Sequence, residues 1–160
     1  MITGSQQLAN QIVSSDFPND TGTFPVSYVK TWLECNLGEL NARIDGIYEM
    51  STGDLFICSG DSSVSTGMNN QEASIYGKMY EIQYYDRVIR DLSMGLSAGG
   101  TAEWIMLKEG DSVIQREGKN QMIRSITALR KDASNELKDL IFSYKHNKSW
   151  SRQVAGEDGV

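Results

Sequence analysis

The chain has 160 residues, of which 39% are hydrophobic and 22% charged, enough apolar material for one domain with an ordinary core. No apolar run approaches the roughly 20 residues of a membrane-spanning helix, and the N-terminal residues lack the basic and apolar regions of a signal peptide. We therefore expect a soluble protein made in the cytoplasm. Cys35 and Cys58 lie far apart and outside any C-x-x-C pair, which predicts reduced, buried thiols and argues against a disulfide framework or a zinc site.

The net charge of −6 is unevenly distributed along the chain. Residues 1–115 carry 6 basic and 15 acidic side chains, whereas residues 116–160 carry 9 basic and 6 acidic ones. This difference suits subunits that meet head to tail, acidic face against basic face, although two solvated faces would give the same counts. The overall acidity disfavours a free-standing nucleic-acid-binding role.

The first third of the chain predicts a polar arm followed by a helix and a hairpin. Residues 1–23 are rich in Ser, Asn, Gln and Thr, which favours an N-terminal arm or loop. Apolar residues recur at three- and four-residue steps over 26–44 and predict an amphipathic helix, which Asn36 and Gly38 can divide in two. In the insertion at about 45–70, IYEM and LFIC flank the turn-like STGD, which predicts a loop with a short hairpin.

Two long amphipathic helices dominate the remainder. The first covers 71–94, with a stripe made of Ile75, Met79, Ile82, Tyr85, Ile89 and Leu92. Tyr76, Tyr80 and Tyr84 form a ladder beside it; packing is the usual role of such a ladder, but tyrosine also suits an interface because it buries area and keeps a polar tip.

After the glycines at 95, 99 and 100, residues 104–107 and 112–116 flank a turn at 108–111 and predict a second hairpin. The last helix covers 119–144, with a stripe made of Met122, Ile126, Leu129, Ala133, Leu137, Leu140 and Tyr144. The sequence thus predicts a mainly α fold: a small helical bundle over 24–147, a short hairpin-like extended segment, and polar terminal arms at 1–23 and 148–160.

Catalytic and cofactor motifs find no support in the sequence. Gly-Asp-Ser occurs at 60–62 and 110–112, but a serine hydrolase needs a histidine base, and the single histidine, His146, lies in a lysine-rich stretch without the aspartate expected three residues earlier. No phosphate-binding glycine loop is present. Asp16, Asp20 and Gly22 do not have the spacing of a calcium loop. We therefore predict a non-enzymatic protein without metal or cofactor.

Three stretches carry a family resemblance: VSYVKTWLECNLGELNARI, EASIYGKMYEIQYYDRVI and EWIMLKEGDSVIQREGKNQMIRSITALRKDASNELKDLIFSY. They resemble the neck proteins of tailed-bacteriophage virions, in particular the small helical head–tail adaptors, or connectors. The likeness covers residues 24–147. It lies in the order of helix, tyrosine-rich helix, Glu-Gly-Asp bend, long helix and polar tail.

The resemblance implies a homo-oligomeric ring, expected to be a dodecamer, docked beneath the portal protein of the phage neck and assembled in the host cytoplasm. Its further partners would be downstream neck or tail proteins and the DNA that passes through its channel without specific binding; no membrane is involved. The C-terminal extension would contact the portal or a neighbouring subunit, with Trp150 as an aromatic anchor. The candidate interface residues are Trp150, Arg152, Val154, Val160, Tyr76, Tyr80 and Tyr84.

Two alternatives remain open from the sequence. Another neck or tail role, such as a tail terminator or head-completion protein, keeps the same class, and a tail terminator would more typically contain a sheet. A small helical regulator or binding module of the host belongs to a different class and would be found outside phage particles.

Overall fold

The computed structural model describes residues 2–16, 25–51, 53–60, 63–97, 106–109, 112–115 and 119–154. Most of these residues are helical, as predicted. The helices are α1 (Ser5–Asp16), α2 (Val26–Cys35), α3 (Leu37–Ile44), α4 (Asn70–Ser97) and α5 (Lys119–Val154). The strands are β1 (Tyr48–Met50), β2 (Phe56–Gly60), β3 (Ser63–Thr66), β4 (Met106–Glu109) and β5 (Ser112–Gln115).

The chain divides into two compact units, and α4 and α5 run through both. The first unit comprises Met1–Tyr80 and Glu136–Val160, and the second unit comprises Glu81–Asn135. The two predicted long helices pack together within each unit. In the first unit, Lys78 Nζ of α4 lies 2.8 Å from Glu136 Oε2 of α5. In the second unit, the Arg130 guanidinium of α5 binds the Asp86 carboxylate of α4.

The predicted helix over 26–44 is confirmed, and it is divided at Asn36 into α2 and α3. Asn36 has φ −107° and ψ 13°, outside helical values, and its side-chain amide donates to the Trp32 carbonyl at 2.8 Å. A side chain that bonds the preceding turn in this way competes with the helical ladder and ends it. Leu33, Leu40 and Ile44 on the two helices are fully buried.

The prediction of an N-terminal arm or loop is wrong for Ser5–Asp16, which forms helix α1. Its apolar residues Leu8, Ala9, Ile12 and Val13 are between 0 and 7% exposed. They recur at helical spacing, so one face of an otherwise polar helix is covered by the rest of the first unit. Composition predicted a loop because eight of the twelve residues are polar, but four apolar side chains on one face suffice to bury it.

Residues 2–4 join α1 to the sheet. Ile2 exchanges backbone hydrogen bonds with Met68 at 3.0 and 2.8 Å, and the Phe56 amide donates to the Thr3 carbonyl at 3.0 Å. At Gly4 an added Cβ would lie 2.8 Å from the Asp54 carbonyl oxygen. This close backbone approach requires glycine, because any side chain would push the two backbone segments apart.

The predicted hairpin within 45–70 is confirmed and extended by one strand. β1 and β2 pair antiparallel, with Tyr48 opposite Cys58 and Met50 opposite Phe56. β3, in a segment with loop composition, pairs antiparallel with β2 and completes a three-stranded sheet in the order β1-β2-β3. SVST has one apolar residue, so neither alternation nor hydrophobicity identified this strand, and pairing with β2 supplies the missing stabilisation.

The second hairpin and the last helix are confirmed, with one correction. β4 and β5 pair antiparallel from Met106 opposite Gln115 to Glu109 opposite Ser112, while Trp104 and the turn at 110–111 lie outside the described residues. α5 continues ten residues beyond the predicted end at 144, to Val154. The proposed tail therefore begins as helix. The apolar stripe stops at Tyr144, but lysines near a helix C-terminus stabilise further turns.

Candidate functional site

A buried carboxylate joins three elements of the first unit. Glu72, 6% exposed, lies in the first turn of α4 and accepts a hydrogen bond from the Asn69 backbone amide at 2.9 Å, while Asn69 Oδ1 accepts one from the Glu72 amide. This reciprocal pair is a capping box, which satisfies two otherwise unbonded donors at the helix start. The same carboxylate accepts hydrogen bonds from the hydroxyls of Tyr48 on β1 at 2.5 Å and Tyr144 on α5 at 2.6 Å.

The surroundings of Glu72 show a structural cluster rather than an acid–base site. Asn41 bonds both the backbone amide and the carbonyl of Tyr48 at 2.8 Å, which fixes that tyrosine at the start of β1. Each tyrosine hydroxyl is buried and donates to the Glu72 carboxylate, so the two hydroxyls and the carboxylate are hydrogen-bonded to one another. Burial, and then the hydrogen bond to Glu72, raise the pKa of Tyr48 and Tyr144 well above the usual tyrosine value.

This arrangement predicts a loss of stability at alkaline pH. Burial likewise raises the pKa of Tyr76, so the fold holds three tyrosines in their neutral form. The unfolded chain ionises its tyrosines at about pH 10. The stabilisation is therefore fully present below about pH 10 and is lost progressively as pH rises above it. Thermal unfolding followed from neutral to strongly alkaline pH should show this decline, and the midpoint of Tyr144→Phe should fall less steeply; equal slopes would contradict the assignment.

The tyrosine ladder of α4 is divided between core and surface. Tyr76 and Tyr80 are 0 and 1% exposed. Their rings lie 5.9 and 5.4 Å from the Trp32 ring, and the Tyr76 hydroxyl donates to the Leu33 carbonyl. The interface hypothesis is therefore wrong for these two residues, because they have no surface to offer a partner. Tyr84 is half-buried, and its ring makes an edge-to-face contact with Tyr85. Both roles that the sequence indicated for it, packing and contact with a partner, therefore stay open.

The C-terminal interface candidates lie at the end of α5. Backbone helix includes Trp150, Arg152 and Val154, whose side chains, like the whole of Val160, are outside the described part of the chain. The hypothesis for these four residues stays a prediction. Two turns before Trp150, Phe142 is 74% exposed, and its ring stacks on His146 with a 6.2 Å centroid separation and an 8° interplanar angle.

The apolar stripe of α4 is buried in the first unit and only partly covered in the second. In the first unit, Ile75 and Met79 are 0 and 5% exposed. In the second unit the stripe continues through half-buried residues and ends near Met94, which is 63% exposed. The half-buried residues are Ile82, Tyr85, Ile89 and Leu92.

The stripe of α5 repeats this division. Leu137 and Tyr144 are 4 and 9% exposed in the first unit, whereas Met122 and Leu129 are 50 and 52% exposed in the second. Among the described side chains of the second unit, Ala133 alone is buried. We call this surface the hairpin face; it consists of Ile82, Ile89, Leu92, Met94, Met122, Ile126 and Leu129. Apolar spacing typical of a core thus continues past the point where the described chain covers it.

A second surface feature lies at the junction of α3 and α5. Asp45, with φ 52°, caps α3 in the left-handed region, and its carboxylate lies 2.9 Å from Lys145 Nζ. The Lys145 hydrogen bond, followed by the charges of Lys145 and Lys148, lowers the pKa of Asp45. Lys148 Nζ donates to the Asp45 carbonyl at 3.2 Å and lies over the Tyr144 ring. With Ser149, these residues line an open cleft of about 320 Å³.

The Gly-Asp-Ser triplets considered as hydrolase motifs lie only partly within the described residues. His146 is exposed, Asp61 and Ser62 of the first Gly-Asp-Ser triplet are outside the described part, and so are Gly110 and Asp111 of the second. No group of three His, Cys, Asp or Glu side chains in the described ranges is arranged to hold a metal ion.

The two cysteines are free, but the prediction that both are buried is wrong. Cys35 is exposed and Cys58 half-buried. Cys35 ends α2 two residues after buried Leu33, and this spacing places it on the opposite side of the helix.

No family model, curated protein or solved structure matches this chain. None of the helices, as far as they are described, has the length and apolarity to cross a membrane. The residues and their geometry therefore carry the functional assignment, and the hairpin face is the feature that the fold itself leaves unexplained.

Proposed function

We propose that this chain is a non-enzymatic structural subunit of a tailed-phage neck. Copies of it would form a ring below the portal, join the capsid to the tail and line the channel through which DNA leaves. The observation that carries the proposal is the hairpin face, where apolar stripes with the spacing of a buried surface lie half-covered or exposed.

The hairpin face favours assembly because its exposure is costly. Burying a whole leucine or methionine side chain contributes about 1.5–3 kcal/mol, so covering the exposed half of Met122 or Leu129 contributes about 1 kcal/mol each. Exposed apolar patches of this kind mark protein–protein contacts in soluble proteins. In a ring, the hairpin face of every copy is covered in the same way, since each subunit contacts two identical neighbours.

The position in the neck rests on the sequence resemblance and on fold class. The chain contains two small sheets, but helix predominates over its short strands, and this suits the adaptor better than a tail terminator, for which a larger share of strand is expected. The excess of acidic side chains in residues 1–115 suits a channel wall, because like charge keeps DNA phosphates from binding as they pass.

Purified protein, alone and mixed with the portal protein of the same phage, should form a species many times the subunit mass. Native mass spectrometry and sedimentation measure this directly. The double substitution Met122→Ser with Leu129→Ser should raise the dissociation constant at least tenfold, equivalent to about 1.4 kcal/mol, without loss of helical circular dichroism.

The matched control is Gln121→Ser with Ala128→Ser, which changes the exposed residue immediately before each apolar one. This control should assemble like the parent protein. A parent chain that remains monomeric both alone and with portal would remove the basis of the proposal.

A further inference from the structure

The cleft beside α5 is flanked in sequence by two exposed apolar side chains. Ile47, 52% exposed, follows Asp45 by two residues, and Phe142, 74% exposed, precedes Lys145 by one helical turn. We call this surface the cleft face; it consists of Asp45, Ile47, Phe142, Lys145, Lys148 and Ser149. Protein interfaces typically have an apolar centre and a polar rim, and exposed apolar side chains beside a charged cleft have this composition.

The charges of the cleft do not balance. Its described lining residues contribute the ammonium groups of Lys145 and Lys148 and one carboxylate, that of Asp45. The carboxylate is hydrogen-bonded to Lys145, whereas Lys148 contacts a neutral carbonyl and an aromatic ring. Among the described residues of the cleft, one positive charge is therefore left for an acidic partner.

The hairpin face offers the complementary charge. Asp132 is exposed on α5 and lies three residues after Leu129. At about 100° per residue, this spacing places it about 60° around the helix from Leu129, at the edge of the uncovered stripe. The hairpin face thus has an acidic side chain beside an exposed leucine, and the cleft face has a basic side chain and an exposed phenylalanine. The charges of the two faces are opposite.

We propose that the hairpin face of one copy docks on the cleft face of the next, with Asp132 beside Lys148 of the neighbour. This inference rests on the proposed function and specifies its contact. Because the two faces differ, the contact is head to tail, and a head-to-tail contact is the kind that closes into a ring. Two hairpin faces paired with each other would instead close as a dimer.

The size of the hairpin face is sufficient for such a contact. The part of α4 from 81 to 97 is about 25 Å long, and two adjacent helices are about 20 Å wide, which gives a projected area of about 500 Å². Side-chain relief raises the accessible area toward the roughly 800 Å² per partner of a stable interface.

A charge exchange tests the pairing. Lys148→Glu and Asp132→Lys should each raise the dissociation constant for assembly about tenfold, because each places like charges together. The two substitutions combined in one chain should restore it to within about threefold of the parent value, since every contact is again opposite in charge. Lys131→Glu, an exposed change on the same helix, serves as the control, and circular dichroism verifies folding.

A photo-crosslinking residue at position 142 identifies the occupant independently. Mass spectrometry should find crosslinks to the segment 120–132 of another copy. Crosslinks to another segment, or a combined variant no better than the single ones in a chain that does assemble, would overturn the pairing and leave the proposed function standing. A parent chain that never assembles would overturn both.

Discussion

Replacing Glu72 with alanine is expected to lower the free energy of unfolding by about 3–5 kcal/mol, a large part of the stability of a small domain. The substitution removes the carboxylate that accepts both the Tyr48 and Tyr144 hydroxyls and leaves these buried donors without a partner. It also breaks the capping box with Asn69 at the start of α4. Urea denaturation followed by circular dichroism measures the loss.

Two further variants separate the role of Glu72 from a general effect of removing a glutamate. Glu72→Gln keeps the size and one acceptor oxygen, so its loss should be smaller, about 1–2 kcal/mol. Glu136→Gln changes a glutamate that is 61% exposed and paired with Lys78, and should cost less than about 1 kcal/mol. A Glu72→Ala protein as stable as the Glu136 variant would show that the cluster contributes nothing.

The second large effect is expected at Tyr76, where alanine should lower the free energy of unfolding by about 4 kcal/mol. The ring is fully buried against Trp32 and Phe56, and its hydroxyl satisfies the Leu33 carbonyl. Its removal leaves a cavity and an unbonded carbonyl at the centre of the first unit.

Tyr84→Ala is the matched control, because Tyr84 lies on the same ladder two turns further along α4. It is half-buried, so its truncation should cost only about 1 kcal/mol. Equal losses at the two positions, measured in the same urea series, would mean that the ladder is covered along its whole length, contrary to the burial of the side chains.

The long helices could be predicted from sequence because their apolar period extends over many turns. The stripes of α4 and α5 each continue through several turns without a break, and both hairpins have turn residues between extended segments. The division at Asn36 was also predictable, since asparagine is a weak interior residue that bonds the preceding turn. Each of these signals depends only on residues close together in sequence, so contacts with distant residues do not alter it.

The errors concern burial, which depends on residues distant in sequence. One face of α1 is apolar and buried, but the polar residues around it predict a loop. The prediction of a buried Cys35 fails because its position on α2 faces away from Leu33. Tyr76 and Tyr84 are the same residue type on the same ladder of α4, although they lie about 80° apart around the helix. Only the presence of Trp32 and Phe56 around one of them makes it core.

The surfaces proposed for assembly were partly visible in the sequence. The hairpin face continues the predicted apolar stripes, but periodicity cannot show which residues of a stripe are buried by the rest of the chain. The Glu72 cluster had a local signal, Asn69 three residues before a glutamate at a helix start, which indicates a capping box. Its two tyrosines come from positions 48 and 144, and no spacing rule joins those to residue 72.

The distance along the chain between Glu72 and Tyr144 has a consequence for how the polypeptide acquires its structure. The cap at Asn69 closes over three residues and can form as soon as that turn leaves the ribosome, whereas the Tyr144 hydroxyl arrives 72 residues later. Contacts of such long range form late, because the intervening loop must first be closed at an entropic cost. The Glu72 carboxylate of the nascent α4 is therefore hydrated until translation of α5 reaches residue 144, and the buried cluster of the first unit can be completed only after that helix has been made.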